Sequence, residues 1–336
     1  MTTAIAAIII LGLLILFHEL GHFSVAKLVG IKVHEFAVGM GPKVIKFTKG
    51  ETLYTLRALP IGGYVKLEGE DQKSDDERAF GNKPLLARIA VLVAGATMNF
   101  ILGFLIFVIL LSMSGAIVEP IIGQLTPGMP AAQAGLMPGD RIERLNNKRV
   151  YTQTDIVFFI NTNQDGPINA TIMRDGQRKE IKITPQLNEE YGRYMIGYQA
   201  QLAEPTVINI IKYAYYDTIS HTKLIFEGLA TLLRGQGSAE DIAGPVGIVG
   251  AIGGAARAGI QPLMILAAII SINLGIFNLL PIPALDGSRI MFLLIEGIRR
   301  KPIDPEKEGM VHMIGLVMLL LLMVFTVFND VTRLVR

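Results

Sequence analysis

The residues of this chain best suited to chemistry lie in the stretch Phe17-His18-Glu19-Leu20-Gly21-His22. Four positions apart on a helix, His18 and His22 share a face, so both imidazoles can grip one ion. Such a pair suits Zn²⁺. Glu19, between them in sequence, is then placed to take a proton from a water whose pKa the ion has lowered toward neutrality. The setting sharpens the reading: residues 1–17 are uncharged, and ionisable groups in or near hydrocarbon each cost kilocalories. The chain has five histidines, which makes a chance pair at this spacing uncommon, and no cysteine, so zinc here must use His, Asp or Glu.

Two imidazoles leave such a site incomplete, because a third protein ligand is needed before the last position can be left to water. The best-placed candidate is Asp286, in the run Asn278-Leu279-Leu280-Pro281-Ile282-Pro283-Ala284-Leu285-Asp286-Gly287. Its charge also offsets part of the ion's in a dry site. His312 and Glu296 are the alternatives for that position. Pro281 and Pro283 forbid a regular helix, and irregular backbone at membrane depth is tolerated only where it faces protein or a watery cavity. Asn273 and Asn278 can satisfy backbone groups of that broken helix, bond to a substrate, or join two helices by a hydrogen bond. Asn99 reads as a packing contact, and His34 and His221 as surface residues.

The elements that must position these groups are membrane helices. Hydrophobic residues make up 51% of the 336 and charged residues 18%, with mean hydropathy +0.46, which argues for a membrane protein rather than soluble domains. Segments 3–29, 89–118, 258–285 and 310–328 are each long enough to cross about 30 Å of hydrocarbon. The first has no basic n-region, and cleavage would threaten the metal motif, so it reads as a retained span rather than a signal peptide. Eleven Lys and Arg between Lys27 and Arg88 make the first loop cytoplasmic and the N-terminus external, and Arg299, Arg300 and Lys301 agree. With a net charge of +2 and no basic cluster interleaved with aromatics, nucleic acid is excluded as a partner.

Within the first loop, residues 44–48 and 52–59 flank Lys49-Gly50 as a β hairpin, punctuated by Gly39-Met40-Gly41 and Gly62-Gly63. The hairpin is either a plain structural ribbon or an edge that receives a peptide as an added strand. Residues 119 to about 200 form a compact domain: a short helix from Pro130, a glycine turn and a strand, then turns at Asn146-Asn147 and Asp175-Gly176, with Thr154 as a helix cap. The Ala134-Gly135-Leu136-Met137-Pro138-Gly139-Asp140-Arg141-Ile142 pattern resembles a bacterial PDZ domain, which binds a peptide along a sheet edge or serves as a steric gate. Residues 204–234, with Lys212, Asp217, His221, Lys223 and Glu227, read as an amphipathic helix on the outer membrane surface.

Together the two motifs, His18-Glu19-Leu20-Gly21-His22 and the run from Asn278 through Gly287, resemble the site-2 protease family of intramembrane zinc proteases, in particular the bacterial regulator-of-sigma-E protease type. The resemblance covers nearly the whole chain. It implies Zn²⁺ on His18, His22 and Asp286, Glu19 as the catalytic residue, and a membrane-dipping hairpin over residues 31–70 bearing Gly39 and Gly41. Asn273 and Asn278 then help to hold substrate, and Gly244-Pro245-Val246-Gly247-Ile248 is similar to a segment that precedes the third span. The implied substrates are single-span membrane proteins such as anti-sigma factors, or remnant signal peptides, cut in a bacterial inner or plasma membrane. Tandem PDZ domains are known in the family, and this chain has room for one. The expected fold is a four-span α-helical membrane protein with a membrane-associated β hairpin and an inserted α+β PDZ domain. Its parts are a first catalytic half (1–118), the extracytoplasmic PDZ domain (119–203), a membrane-surface region (204–257) and a second catalytic half (258–336). The bilayer, transmembrane substrates and a PDZ-bound peptide are the expected partners. A non-catalytic adaptor has no use for Glu19, and a metal transporter needs a polar path that the uncharged spans do not supply.

Overall fold

A computed structural model of the chain describes residues 2–335 apart from 71, 73, 164–165, 236–242 and 302. Lys73 and part of the 204–257 segment therefore lie outside the described residues. In chain order the elements begin with α1 (Thr2–Leu28), β1 (Val33–Lys49), β2 (Thr52–Leu67) and α2 (Leu85–Met113). Then come β3 (Ile117–Leu125), α3 (Pro130–Gln133), β4 (Arg141–Leu145), β5 (Lys148–Arg149), α4 (Gln153–Thr162), β6 (Ile168–Arg174) and β7 (Gln177–Ile183). The remainder is β8 (Gln186–Asn188), β9 (Arg193–Met195), β10 (Tyr198–Ala203), α5 (Val207–Leu233), α6 (Pro245–Ala258), α7 (Ile260–Leu279), α8 (Asp286–Arg299) and α9 (Pro305–Val335). Two compact units result: Met1–Gly103 with Ala230–Arg336, and Phe104–Leu229.

In the first unit small residues let helices approach closely, as they do where no hydrophobic effect drives association. A Cβ on Gly21 of α1 would clash with the Ala94 carbonyl of α2. On another face of α2, a Cβ on Gly103 would lie 2.8 Å from Ile272 of α7, and one on Gly275 of α7 would lie 3.1 Å from the Ala96 oxygen. α2 is thus clasped between α1 and α7. The start of α6 is fixed by Asp330 of α9, which accepts from the amides of Gly244 (3.2 Å) and Gly247 (2.7 Å), an acidic cap on orphan helix donors.

Four helices among the described residues are long and apolar enough to span a membrane: Thr3–Leu28, Leu85–Met113, Ile260–Leu279 and Glu306–Arg333. The third is shorter than the apolar run 258–285, because Gly259 (φ 123°) separates it from α6 and the two prolines end it at Leu279. The hairpin is longer than the strand pattern suggested: β1 pairs with β2 from Lys49↔Thr52 back to Val33↔Leu67, with breaks in register near Gly39 and Gly41. Both glycines have positive φ (85° and 84°), and a Cβ on Gly39 would meet the Leu59 oxygen at 2.5 Å, so side chains are disfavoured where the ribbon kinks.

The second unit holds the sheet β10-β3-β4-β6-β7, with β5 on β4. Its core includes Ile122, Ile142, Leu145, Ile156, Ile172 and Ile183. Asn146 and Asn147 (φ 43° and 67°) turn β4 into β5, and Asp175-Gly176 (φ 50° and 76°) turns β6 into β7. The cap of α4 is Thr152 rather than Thr154, because Thr152 and Asp155 satisfy each other's backbone donors in a capping box. Asp140, fully buried, accepts from Arg174 (2.6 and 2.7 Å) and from the Met137 amide (2.8 Å), which explains the aspartate in the glycine-turn pattern. The polar residues of α5 bond into this unit. Tyr213 donates to Glu119 (2.5 Å), Ser220 to Asp155 (2.8 Å), Lys223 to the Arg149 carbonyl (2.7 Å), and Lys148 to Glu227 (2.9 Å).

Candidate metal centre

His18 and His22 project from the same face of α1, and Asp286 is the first residue of α8, delivered by the proline-broken segment after α7. Their ligand atoms converge: His18 Nε2 to His22 Nε2, His18 Nε2 to Asp286 Oδ2, and His22 Nε2 to Asp286 Oδ2 are each 3.2 Å. Ligands about 2.0–2.1 Å from a tetrahedral zinc stand about 3.3 Å from one another, so this triangle has the spacing zinc requires. Asp286 Oδ2 is also buried without a hydrogen bond, a costly state that a cation relieves. Among the described residues these three form the group suited to a metal, and the alternatives lie outside it. Glu296 pairs with Arg88 of α2, and His312 Nδ1 accepts from the Ala284 amide at 3.1 Å. That bond steadies the segment leading to Asp286, where Ala284 holds a left-handed φ of 73°.

Each imidazole is gripped from behind. His22 Nδ1 bonds to the Val91 carbonyl (2.8 Å), and His18 Nδ1 faces the side-chain nitrogen of Asn99 (3.0 Å), both on α2. Nothing in the sequence distinguishes Asn99 from a packing residue, because only tertiary structure brings α2 behind the motif. α2 comes so near that Gly95 lies against both rings.

Glu19 shares with the three ligands a cleft of about 710 Å³, walled also by Tyr64, Leu67, Glu70, Arg289 and His312. β2 runs past it: a Cβ on Gly63 would sit 3.0 Å from Glu19 Cγ. Residues 53–56 of β2 pair on both sides with β1, with 45–48 and with 35–38, whereas residues 63–67 pair with 33–38 alone, so among the described residues the other edge of that stretch carries no partner strand. The remaining predicted residues are not on the cleft wall. Asn273 and Asn278 lie on α7, the first with its Oδ1 buried and unpaired, the second 9% exposed in the last turn. Gly39 and Gly41 are at the kink of β1. An ion-pair cluster joins that kink to the cleft wall. Arg57 donates to the Gly41 carbonyl (2.7 Å), to Glu35 (2.9 Å) and to the Tyr64 hydroxyl.

The sequence profile of peptidase family M50 matches residues 6–322. A protein of Clostridium acetobutylicum is 41% identical over 328 residues, covering 97% of this chain and 96% of its own length. The regulator of sigma-W protease RasP of Bacillus subtilis is 36% identical over 416 aligned positions, covering 99% of each chain. That alignment exceeds the 336 residues here, so this relative carries inserted segments that the present chain lacks. Among solved structures, the PDZ domain of an SdrC-like protein from Listeria monocytogenes is 16% identical, with a TM-score of 0.23, covering 24% of this chain and 86% of its own.

Proposed function

The chain belongs to peptidase family M50 and is a membrane zinc metalloprotease, and from that premise we propose that it hydrolyses a peptide bond within or beside the transmembrane helix of a single-span membrane protein. The observation that carries this reading is the 3.2 Å triangle of His18, His22 and Asp286 in one cleft with Glu19. When bound by those three residues, zinc supplies Lewis-acid polarisation of the scissile carbonyl and a water acidic enough to be deprotonated near neutrality. Glu19, in the same cleft, would hold the proton of the attacking water as general base and pass it to the departing amine as general acid.

A substrate helix hides its carbonyls in hydrogen bonds, and freeing them in lipid costs several kilocalories each, so attack requires that the chain be unwound and its amides satisfied elsewhere. The unpartnered edge of β2 beside Glu19 is suited to that task, since an added strand would pair its backbone along residues 63–67. Asn273 and Asn278, which lie on α7 and not on the cleft wall, would hold further substrate backbone only where the segment after α7 yields to it, while Gly39 and Gly41 shape the ribbon. The site opens toward the cytoplasm. The sheet of the second unit is a PDZ domain on the other side of the membrane, where it binds a peptide or gates entry. The division into 1–118, 119–203, 204–257 and 258–336 keeps two catalytic halves around it. The name of the Bacillus subtilis relative speaks of sigma-W regulation, which favours an anti-sigma factor as substrate, with remnant signal peptides as the alternative.

The test is cleavage of a purified single-span substrate by the full chain. Glu19→Gln is expected to reduce turnover by roughly 10²–10⁴-fold while leaving zinc content unchanged, and chelation to abolish turnover reversibly. Retained cleavage in Glu19→Gln would refute the assignment of the base.

A further inference from the structure

Three residues beyond Asp286 on α8, and so on the same face of the helix, Arg289 lines the cleft that holds the metal ligands. It pairs with Glu70, three residues past the end of β2. The pair joins the helix that supplies a ligand to the strand whose open edge is suited to substrate. Glu70 stands where three spaces meet, since it also lines neighbouring cavities of about 670 and 630 Å³, and Arg289 lines the second of these. Neither side chain is sealed in: Glu70 is 19% and Arg289 30% exposed, so the pair can open. The cleft's charges give the arginine a use. Glu19, Glu70 and Asp286 bring three carboxylates to its wall, and among the described lining residues Arg289 is the one permanent cation. Hydrolysis adds a fourth carboxylate. One water gives oxygen and a hydrogen to the carbonyl carbon and its other hydrogen to the nitrogen as the C–N bond breaks. The acid so formed passes its proton to the amine near neutrality, leaving a carboxylate and an ammonium where a neutral amide stood.

Resting on the reading of this cleft as the site of peptide hydrolysis, we propose that Arg289 binds the newly formed carboxylate of the amino-terminal fragment, exchanging Glu70 for it. A guanidinium presents parallel donors that match a carboxylate, and Glu70 already offers Arg289 the group that the product brings. Before cleavage the scissile group is a neutral amide, whose bond to a guanidinium is weaker, so the exchange favours product over substrate. Glu70 is then a built-in competitor: it returns to Arg289 as the fragment leaves, and so keeps the product from being held.

The experiment measures binding of a short fluorescent peptide to the full chain in detergent, with the zinc content of each preparation determined. The peptide copies the residues before the cut and is made once with a free carboxylate and once as its amide. Wild type is expected to bind the acid about tenfold or more tightly than the amide. Arg289→Gln should lower that preference by about fivefold or more, at unchanged zinc content. Glu70→Gln should strengthen acid binding by about three- to tenfold and leave amide binding as it was. These opposite signs set the role apart from a structural one, in which loss of either partner weakens binding alike. A preference in Arg289→Gln within about twofold of the wild-type value overturns the proposal. So does acid binding by Glu70→Gln no tighter than wild type, which decides the matter even if the Arg289 variant does not fold. Cleavage by the same wild-type preparation keeps the two readings apart. A protein that cuts its substrate yet binds acid and amide alike is a protease in which Arg289 has no such role. One that carries zinc and does not cut removes the reading on which the role rests.

Discussion

A methyl group on Gly95 would lie 2.6 Å from His22 Cε1 and 2.7 Å from His18 Cε1, well inside van der Waals contact. Neither ring can retreat freely, since each is held from behind by α2. Gly95→Ala is therefore expected to cost on the order of 1–3 kcal/mol at the metal site, read as a tenfold or greater loss of zinc affinity with helical circular dichroism unchanged. Wild-type affinity in that variant would mean that the rings are softer than the packing implies. The same residues show what the sequence could and could not reveal. His18, Glu19 and His22 are legible because their spacing lies within a single helix, and Asp286 because prolines mark its segment as irregular. Gly95 and Asn99 are illegible: α2 is apolar around most of its circumference, so no periodicity identifies the face that meets α1.

At the scale of elements, the hairpin carries its own titration. Burial pushes the Glu35 carboxyl up, but hydrogen bonds from Arg57, Thr55 and Lys43 outweigh it and hold the group at about 2, below its ordinary 4.5. A depressed carboxyl stabilises the ribbon fully above its unfolded pKa, and that contribution fades as pH falls from 4.5 toward 2. Hydrogen exchange over residues 33–67, corrected for intrinsic rates, is expected to stay slow down to about pH 4.5 and to quicken below it. Glu35→Gln should make exchange faster at neutral pH and erase that dependence; an unchanged acid limb in the variant would assign it to another group. The turn of this hairpin at Lys49-Gly50 was readable from residue types, whereas its full length was not. Residues 33–43 and 60–67 carry glycines and charges that spoil the alternation, and the Glu35–Arg57 pairing that steadies them joins residues 22 apart. In the same way, Gly259 and two prolines set the third span, but the apolar run alone could not say where it is cut.

For the whole molecule, one distance constrains the path through the membrane. His18 and Asp286 can share an ion only if the chain has crossed an even number of times between the end of α1 and the start of α8. α2 and α7 supply two crossings among the described residues, so α5 cannot be a third. Its composition and bonding agree, since Tyr213, Ser220 and Lys223 bond to the sheet unit rather than facing lipid. The eleven basic residues of the first loop predict which side is which, an expectation that rests on the sequence and on no internal distance. The absence of native cysteine makes this directly measurable with single reporters at the exposed positions Lys46, Lys179 and Lys301. An impermeant thiol reagent added outside intact cells is expected to label Lys179→Cys. It should leave Lys46→Cys and Lys301→Cys unlabelled until the membrane is opened. Labelling of Lys301→Cys from the outside with Lys46→Cys protected would place Asp286 and the two histidines at opposite faces. No zinc site could then join them.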